Sequence, residues 1–216
     1  MKNNYKAVFF DLDGTLADTD LMIVMTMAKI FEEYRPEYKP TLKELISFSG
    51  PPLSESMLKF FPKELNKELV SRFRELSPKL YDKYVKSFPG VKETLSSLKN
   101  HGIHTAVITS KMREPTIYTL KMLGIYEYFD VLICVDDVKK PKPDPEGMLK
   151  ALDAVKLSNE DVLYVGDTYT DYVVANECNV DCALVGWGLR GVPKEAKPNY
   201  VLKQFKDLED LIGYEK

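Results

Sequence analysis

The chain has 216 residues and a formal net charge of −3, a length that suits one large domain or a core with a smaller insertion. With no basic surplus, nucleic acid and anionic membranes are not expected partners, and no apolar run approaches the roughly 20 residues that span a bilayer. Hydrophobic residues make up 44%, with 13 tyrosines and 10 phenylalanines, which is ample for a packed core.

Cys134, Cys178 and Cys182 show no C-x-x-C spacing and are expected to be free thiols of a reducing cytosol. The first strand is expected within about five residues of the start, which leaves no room for a signal peptide and predicts a cytoplasmic protein.

That first strand is Ala7-Val8-Phe9-Phe10, a short apolar run suited to burial on both faces of a parallel sheet. It runs into Asp11-Leu12-Asp13-Gly14-Thr15. Period-two geometry sends the side chains of Asp11 and Asp13 the same way while the chain stays extended. Two adjacent carboxylates repel, so a bound cation or a shared proton should separate their roles. The competing reading is an Asx-type turn, with Asp13 capping and Gly14 supplying a positive φ.

From 18 to 34, Leu21, Val24, Met25, Ala28 and Phe31 recur at helical spacing, until Pro36 and Pro40. Thr41-Leu42-Lys43-Glu44 has the form of a capping box opening a short helix, broken by Gly50-Pro51-Pro52. Helices are expected over 53–61 and 63–86, the second kinked or divided at Pro78. Residues 18–86 thus read as helical with no strand. Phe88-Pro89-Gly90 closes this block.

Strand and helix then alternate. Helices are expected over 91–100, 114–123, 146–155, 168–178 and 205–211, with Pro115 tolerated in a first turn and Gly124 as a stop. Strands are expected over 103–109, 131–135, 162–165 and 183–185, with an edge strand over 200–202. This pattern predicts an α/β fold with a doubly wound parallel sheet. Residues 1–17 and 87–216 would form the core, with 18–86 inserted.

Ligands in such sheets bind beyond the carboxyl ends of the strands. Thr109-Ser110-Lys111 ends one strand with two hydroxyls and an ammonium, which suit phosphate oxygens, although Ser110 could equally cap the next helix. Lys139-Lys140-Pro141-Lys142-Pro143-Asp144-Pro145 is a stiff loop able to offer a lysine to clustered carboxylates, or simply a basic surface loop. Gly166-Asp167-Thr168-Tyr169-Thr170-Asp171 ends another strand with two acids at i, i+4, expected on or near one helix face. Beside Asp11 and Asp13, a further carboxylate gives an oxygen-rich site suited to a hard cation, magnesium above all.

The set Asp-Leu-Asp-Gly-Thr, Thr109-Ser110-Lys111, Lys-Pro-x-Pro and Gly166-Asp167-(x)3-Asp171 resembles the four motifs of the haloacid dehalogenase superfamily, over nearly the whole chain. Gly50-Pro51-Pro52-Leu53 and Gly186-Trp187-Gly188 look like its phosphoglycolate phosphatase branch, and the run from Phe129 to Val138 looks like a pyrophosphatase of that branch. The resemblance implies a Rossmann-like core with an inserted helical cap closing over the site and setting substrate choice. It implies a Mg²⁺-dependent phosphatase acting on a small phosphomonoester such as phosphoglycolate through an aspartyl-phosphate.

In that scheme Asp11 is the nucleophile and Asp13 the acid and base. Asp11, the Asp13 carbonyl and Asp167 hold Mg²⁺, while Thr109 and Ser110 bind phosphoryl oxygens. Gly14 and Asp171 support the site, with Asp171 holding a lysine or a metal-bound water. Two Lys-Pro-x-Pro frames overlap, and the stripe Met148, Leu149, Leu152, Val155 favours Lys142 over Lys140. Lys111 is a candidate for a second anionic group.

Asp13 argues against dehalogenation, because dehalogenases of the superfamily lack that second carboxylate. An inorganic pyrophosphatase and a phosphosugar mutase are the alternative enzymes, and a phosphate-accepting α/β binding module is the non-enzyme alternative. The expected partner is a small phosphorylated metabolite, with the protein a monomer or homodimer. Lys43, Ser49, Arg72 and Arg74 are weaker candidates for the leaving group. His101 and His104 read as structural, and Trp187 as a loop anchor or part of the site's rim.

Overall fold

The structure, a computed structural model, describes residues 5–213. Among the described residues the chain forms two compact units, one of residues 5–17 and 87–213 and one of residues 18–86. Among the described residues no helix is long and apolar enough to cross a membrane.

The first unit is built on six parallel strands in the order β5-β4-β1-β6-β7-β8. They are β1 (Ala7–Phe10), β4 (His104–Ile108), β5 (Val131–Ile133), β6 (Val162–Gly166), β7 (Asp181–Val185) and β8 (Tyr200–Leu202). All four residues of β1 are fully buried, because neighbours flank it on both sides and helices cover both faces. Ala7 and Phe9 share a core with α8 (Glu146–Val155) and α9 (Tyr169–Glu177), through Met148, Ala151, Val174 and Ala175. The remaining helices are α6 (Val91–Asn100), α7 (Arg113–Met122) and α10 (Asp207–Ile212), and Phe10 stacks on Phe205 just before α10. Burying each phenylalanine is worth about 1.5–3 kcal/mol.

This is the doubly wound α/β sheet expected from the alternation, and it carries the inserted helices. They are α1 (Asp20–Tyr34), α2 (Leu42–Ile46), α3 (Leu53–Met57), α4 (Asn66–Leu76) and α5 (Pro78–Tyr84). Thr41 and Glu44 form the expected capping box, and Pro78 sits in the first turn of α5, where its missing N–H costs nothing. An aromatic cluster centres on Phe31, whose ring meets those of Tyr38, Phe48, Phe60 and Phe61 at 4.8–6.1 Å.

Several local expectations need correction. Residues 18–86 are not free of strand, since β2 (Ala17–Asp18) and β3 (Lys86–Ser87) form a separate two-stranded sheet. In α1 the buried side is Met22, Ile23, Val24, Met27, Ile30 and Phe31, while Leu21 is exposed. Nearly every early position of α1 is apolar, so its period alone does not single out one stripe. The strand expected over 131–135 stops at Ile133 because Val135–Asp137 tighten into a 3₁₀ turn, with the Asp137 carboxylate accepting from the Cys134 N–H at 2.7 Å.

Candidate active site

Three strand ends and one loop of the first unit deliver the polar groups. Asp11 continues β1 by donating its N–H to the Val165 carbonyl at 2.9 Å, so its carboxylate is set by the ladder itself. The chain then turns at once. Leu12 accepts from the N–H groups of Leu16 and Ala17, and Gly14 adopts φ +90°, a left-handed conformation that favours glycine. A Cβ at Gly14 would also collide with the Asp167 carboxylate. The turn and the paired acids thus coexist rather than compete.

Lys142 lies at the centre. Its ammonium donates to Asp11 Oδ1 and Asp171 Oδ1, each at 2.7 Å, and to the Ile108 carbonyl and Tyr164 hydroxyl at 3.2 Å. Lys140 instead points outward, with its side chain 76% exposed and 3.6 Å from Asp144.

Asp171 is the third residue of α9, and its Oδ2 accepts from the N–H groups of Asp167 and Thr168 and from the Thr168 hydroxyl. Thr168 returns the bond by accepting from the Asp171 N–H, which closes a capping box. The expected common helix face is therefore not the geometry: Asp167 precedes α9 altogether, and a turn brings the two carboxylates together. Gly166 permits this, since a Cβ there would run into Asp171.

The carboxylates of Asp11, Asp167 and Asp171 each offer an oxygen within 4.8 Å of the others, and all three residues are buried. Burial pushes the Asp11 carboxyl up to about 6, against the pull of Lys142. Burial also pushes Asp167 well up, with Arg190 opposing and Asp171 and Asp11 adding to the rise. Asp171 is pulled up by burial, but Lys142 and its capping bonds outweigh that and hold it below the usual range. Burial alone would lower Lys142, yet Asp11 and Asp171 keep it firmly charged.

With Lys142 and the capping groups occupying Asp171, Asp11 and Asp167 are the acids placed to hold a cation. Buried hard oxygens, set above a glycine cradle that a side chain would fill, fit a divalent metal ion.

Asp13 stands apart from this cluster. Its carboxylate takes the Lys111 ammonium at 2.9 and 3.2 Å. Lys111, expected to offer its charge to a substrate, is thus engaged by an acid of the site. Thr109 is buried at the end of β4, where its N–H donates to the Ile133 carbonyl and its hydroxyl accepts from the Lys111 N–H at 3.2 Å. Ser110 does not cap α7, because the residue preceding that helix is Met112.

His101 and His104 bond to Ser97 and Asp130, and Trp187 packs between Phe88 and Phe205 as a loop anchor. In the inserted unit Ser49 donates to Asp20, Arg72 pairs with Glu33 and Glu75, and Lys43 and Arg74 are exposed.

Tyr164, Thr168, Thr15 and Arg190 carry contacts to the site that the sequence reading did not assign, although Thr15 and Thr168 lie inside its motifs. Tyr164 hides in an apolar strand, yet its hydroxyl donates to Asp171 at 2.9 Å. The Thr15 hydroxyl reaches Asp167 Oδ1 at 3.4 Å. Arg190, on the loop after β7, donates from Nη2 to Asp167 Oδ2. Only the spacing S/T-x-x-D at Thr168 carried a readable signal.

Residues 8–185 match the sequence model of the family described as haloacid dehalogenase-like hydrolase. A pyrophosphatase PpaX of Halalkalibacterium halodurans is 36% identical over 208 residues, covering 95% of this chain and 96% of that protein. Among solved structures, a haloacid dehalogenase-like family hydrolase from Streptococcus pneumoniae superposes with a TM-score of 0.86 at 24% identity, covering 97% of this chain and 99% of that one. A predicted phosphoglycolate phosphatase from Haemophilus somnus gives 0.87 at 20% identity, with coverage of 97% and 99%. At those identities the two structures speak for the fold.

Proposed function

Because this chain belongs to the haloacid dehalogenase-like hydrolase family, and to its phosphatases, we propose that it hydrolyses inorganic pyrophosphate through a phosphoryl group carried on Asp11. The observation that carries this reading is the buried Asp11 carboxylate at a strand end, held at 2.7 Å by Lys142, with a second acid two residues on. Asp11 attacks phosphorus, forming a P–O bond to its carboxylate while the bridging P–O bond breaks. Asp13 gives a proton to the departing oxygen, then takes one from the water that attacks the aspartyl-phosphate, which frees phosphate and restores Asp11.

Lys142 aims Asp11 and offsets its charge, and Thr109 with the Ser110 N–H receives the phosphoryl oxygens. A divalent cation, Mg²⁺ in this reading, would be held by Asp11, Asp167 and the Asp13 carbonyl and would neutralise charge on the transferring group. Lys111, paired with the Asp13 carboxylate at 2.9 Å, would turn to the anionic leaving phosphate in this reading.

Pyrophosphate is favoured over a phosphomonoester by the 36% identical relative of that name and by the lysine and arginine that flank the acids, Lys111 and Arg190. Phosphoglycolate, the substrate expected from the motifs, is the second reading, on the same Lys111 offered to a carboxylate. The test is phosphate release with Mg²⁺ from pyrophosphate, phosphoglycolate, nucleotides and sugar phosphates. Pyrophosphate should lead in kcat/KM by at least about tenfold, and a tenfold preference for another compound overturns the substrate. Asp11→Asn should abolish turnover and Asp13→Asn should trap labelled phosphate covalently; an active Asp11→Asn variant overturns the chemistry.

A further inference from the structure

Arg190 sits on a glycine-flanked loop, Gly186-Trp187-Gly188-Leu189-Arg190-Gly191, that β7 feeds and Trp187 anchors. Its guanidinium is paired to Asp167 Oδ2, with the arginine side chain only 20% exposed and the aspartate 4%. The same Oδ2 atom and the same Nη2 atom both crowd the open side of Gly14. The arginine therefore occupies the part of Asp167 that faces the Asp11 turn, beside the acids that would hold a cation.

A carboxylate oxygen held by a guanidinium must lose that partner before it can take a divalent ion at coordination distance. Two positive charges also repel at such a separation. We propose that Arg190 is a built-in counter-cation of the metal-free enzyme, which holds Asp167 in place and competes directly with the divalent metal for it. This rests on the cation reading above. Arg190 is a positioning residue in this role. It keeps the buried Asp167 from standing uncompensated, as Lys142 does for Asp11 and Asp171, and sets the metal concentration at which the site fills.

The consequence is a linkage: metal affinity is reduced by the fraction of molecules in which Arg190 holds Asp167. The experiment titrates the full-length, EDTA-stripped protein with MgCl₂ by calorimetry, comparing wild type, Arg190→Gln and Arg190→Lys. Arg190→Gln should bind Mg²⁺ about tenfold more tightly, with Arg190→Lys between the two because an ammonium competes without the planar fork.

Melting supplies the second readout. In EDTA the Gln variant should melt below wild type, and saturating Mg²⁺ should abolish that deficit. Equal or weaker Mg²⁺ binding by Arg190→Gln, or a Tm deficit that persists unchanged with Mg²⁺, overturns the proposal and leaves the cation site standing. If Arg190→Gln does not fold, the Lys variant decides alone, with unchanged affinity counting against. Absence of Mg²⁺ binding to wild type and variants alike overturns the cation reading and this inference with it.

Discussion

Lys142 and Lys140 have the same chemistry and near-identical flanks, and their burial separates them: the side chain of Lys142 is 7% exposed, that of Lys140 76%. Removing Lys142 leaves Asp11 and Asp171 without their shared cation, and breaking a buried pair of this kind costs about 3–5 kcal/mol. Lys142→Ala should therefore lower kcat by at least about a hundredfold and destabilise the fold, while Lys140→Ala should stay within about twofold. A loss confined to Lys140→Ala would contradict this.

Acidity gives a second test at the same residue. The Asp11 carboxyl is raised to about 6, so its protonated fraction grows as pH falls through 6 and the nucleophile is lost. At limiting Mg²⁺, kcat/KM should fall about tenfold per pH unit below 6. A cation favours the ionised carboxylate, so saturating Mg²⁺ should move that limb to lower pH. A limb indifferent to Mg²⁺ would count against Asp11 as a ligand.

Asp11 and Asp167 were legible in the sequence because each directly follows an apolar strand, β1 and β6. Arg190 was not, because nothing in its spacing marks it, and only the return of its loop to Gly14 brings it to Asp167.

At the scale of elements, the join between β6 and α9 combines steric and hydrogen-bonding constraints. Gly166 ends the strand, Thr168 caps the helix, and Asp171 closes both the capping box and the Lys142 pair. Thr168→Ala should cost about 1 kcal/mol of stability from the lost cap. Gly166→Ala should cost more, because its Cβ meets the Asp171 side chain. The collision is specific and begins at the Asp171 Cβ, so removing the whole side chain should relieve it: in an Asp171→Gly background Gly166→Ala should be milder by about 1–3 kcal/mol in a double-mutant cycle measured by urea melts. Additive costs would show that Asp171 is not what excludes a side chain at 166.

The order of elements could be read from alternating strand and helix patterns, since parallel β-strands joined by helices need continuous apolar runs. Their ends could not. β5 stops early because Asp137 turns back to the Cys134 N–H, a contact that strand propensity does not encode. The buried side of α1 does not follow from its period, because Leu21, Met22, Ile23, Val24 and Met25 satisfy several stripes at once.

Across the whole molecule, the chain passes through residues 18–86 between β1 and the rest of the sheet, and each unit has its own apolar core. One core is organised by β1 and its neighbours, the other by Phe31 and the rings around it. Separate cores imply separate opening reactions, because exchange-competent states follow cooperative packing units rather than chain order. Phe31 is 1% exposed, and truncating such a ring to alanine costs about 3–5 kcal/mol. Hydrogen exchange on Phe31→Ala should accordingly speed up by at least about a hundredfold for protected amides of α1 and α4, while those of β1, β4 and β6 change by less than about threefold. The groups from Asp11 to Arg190 that carry the proposed chemistry all belong to the unit that should stay protected. Equal acceleration in both sets of amides would mean that the two cores open as one, and that the inserted helices are part of what keeps Asp11, Lys142 and Asp171 in register.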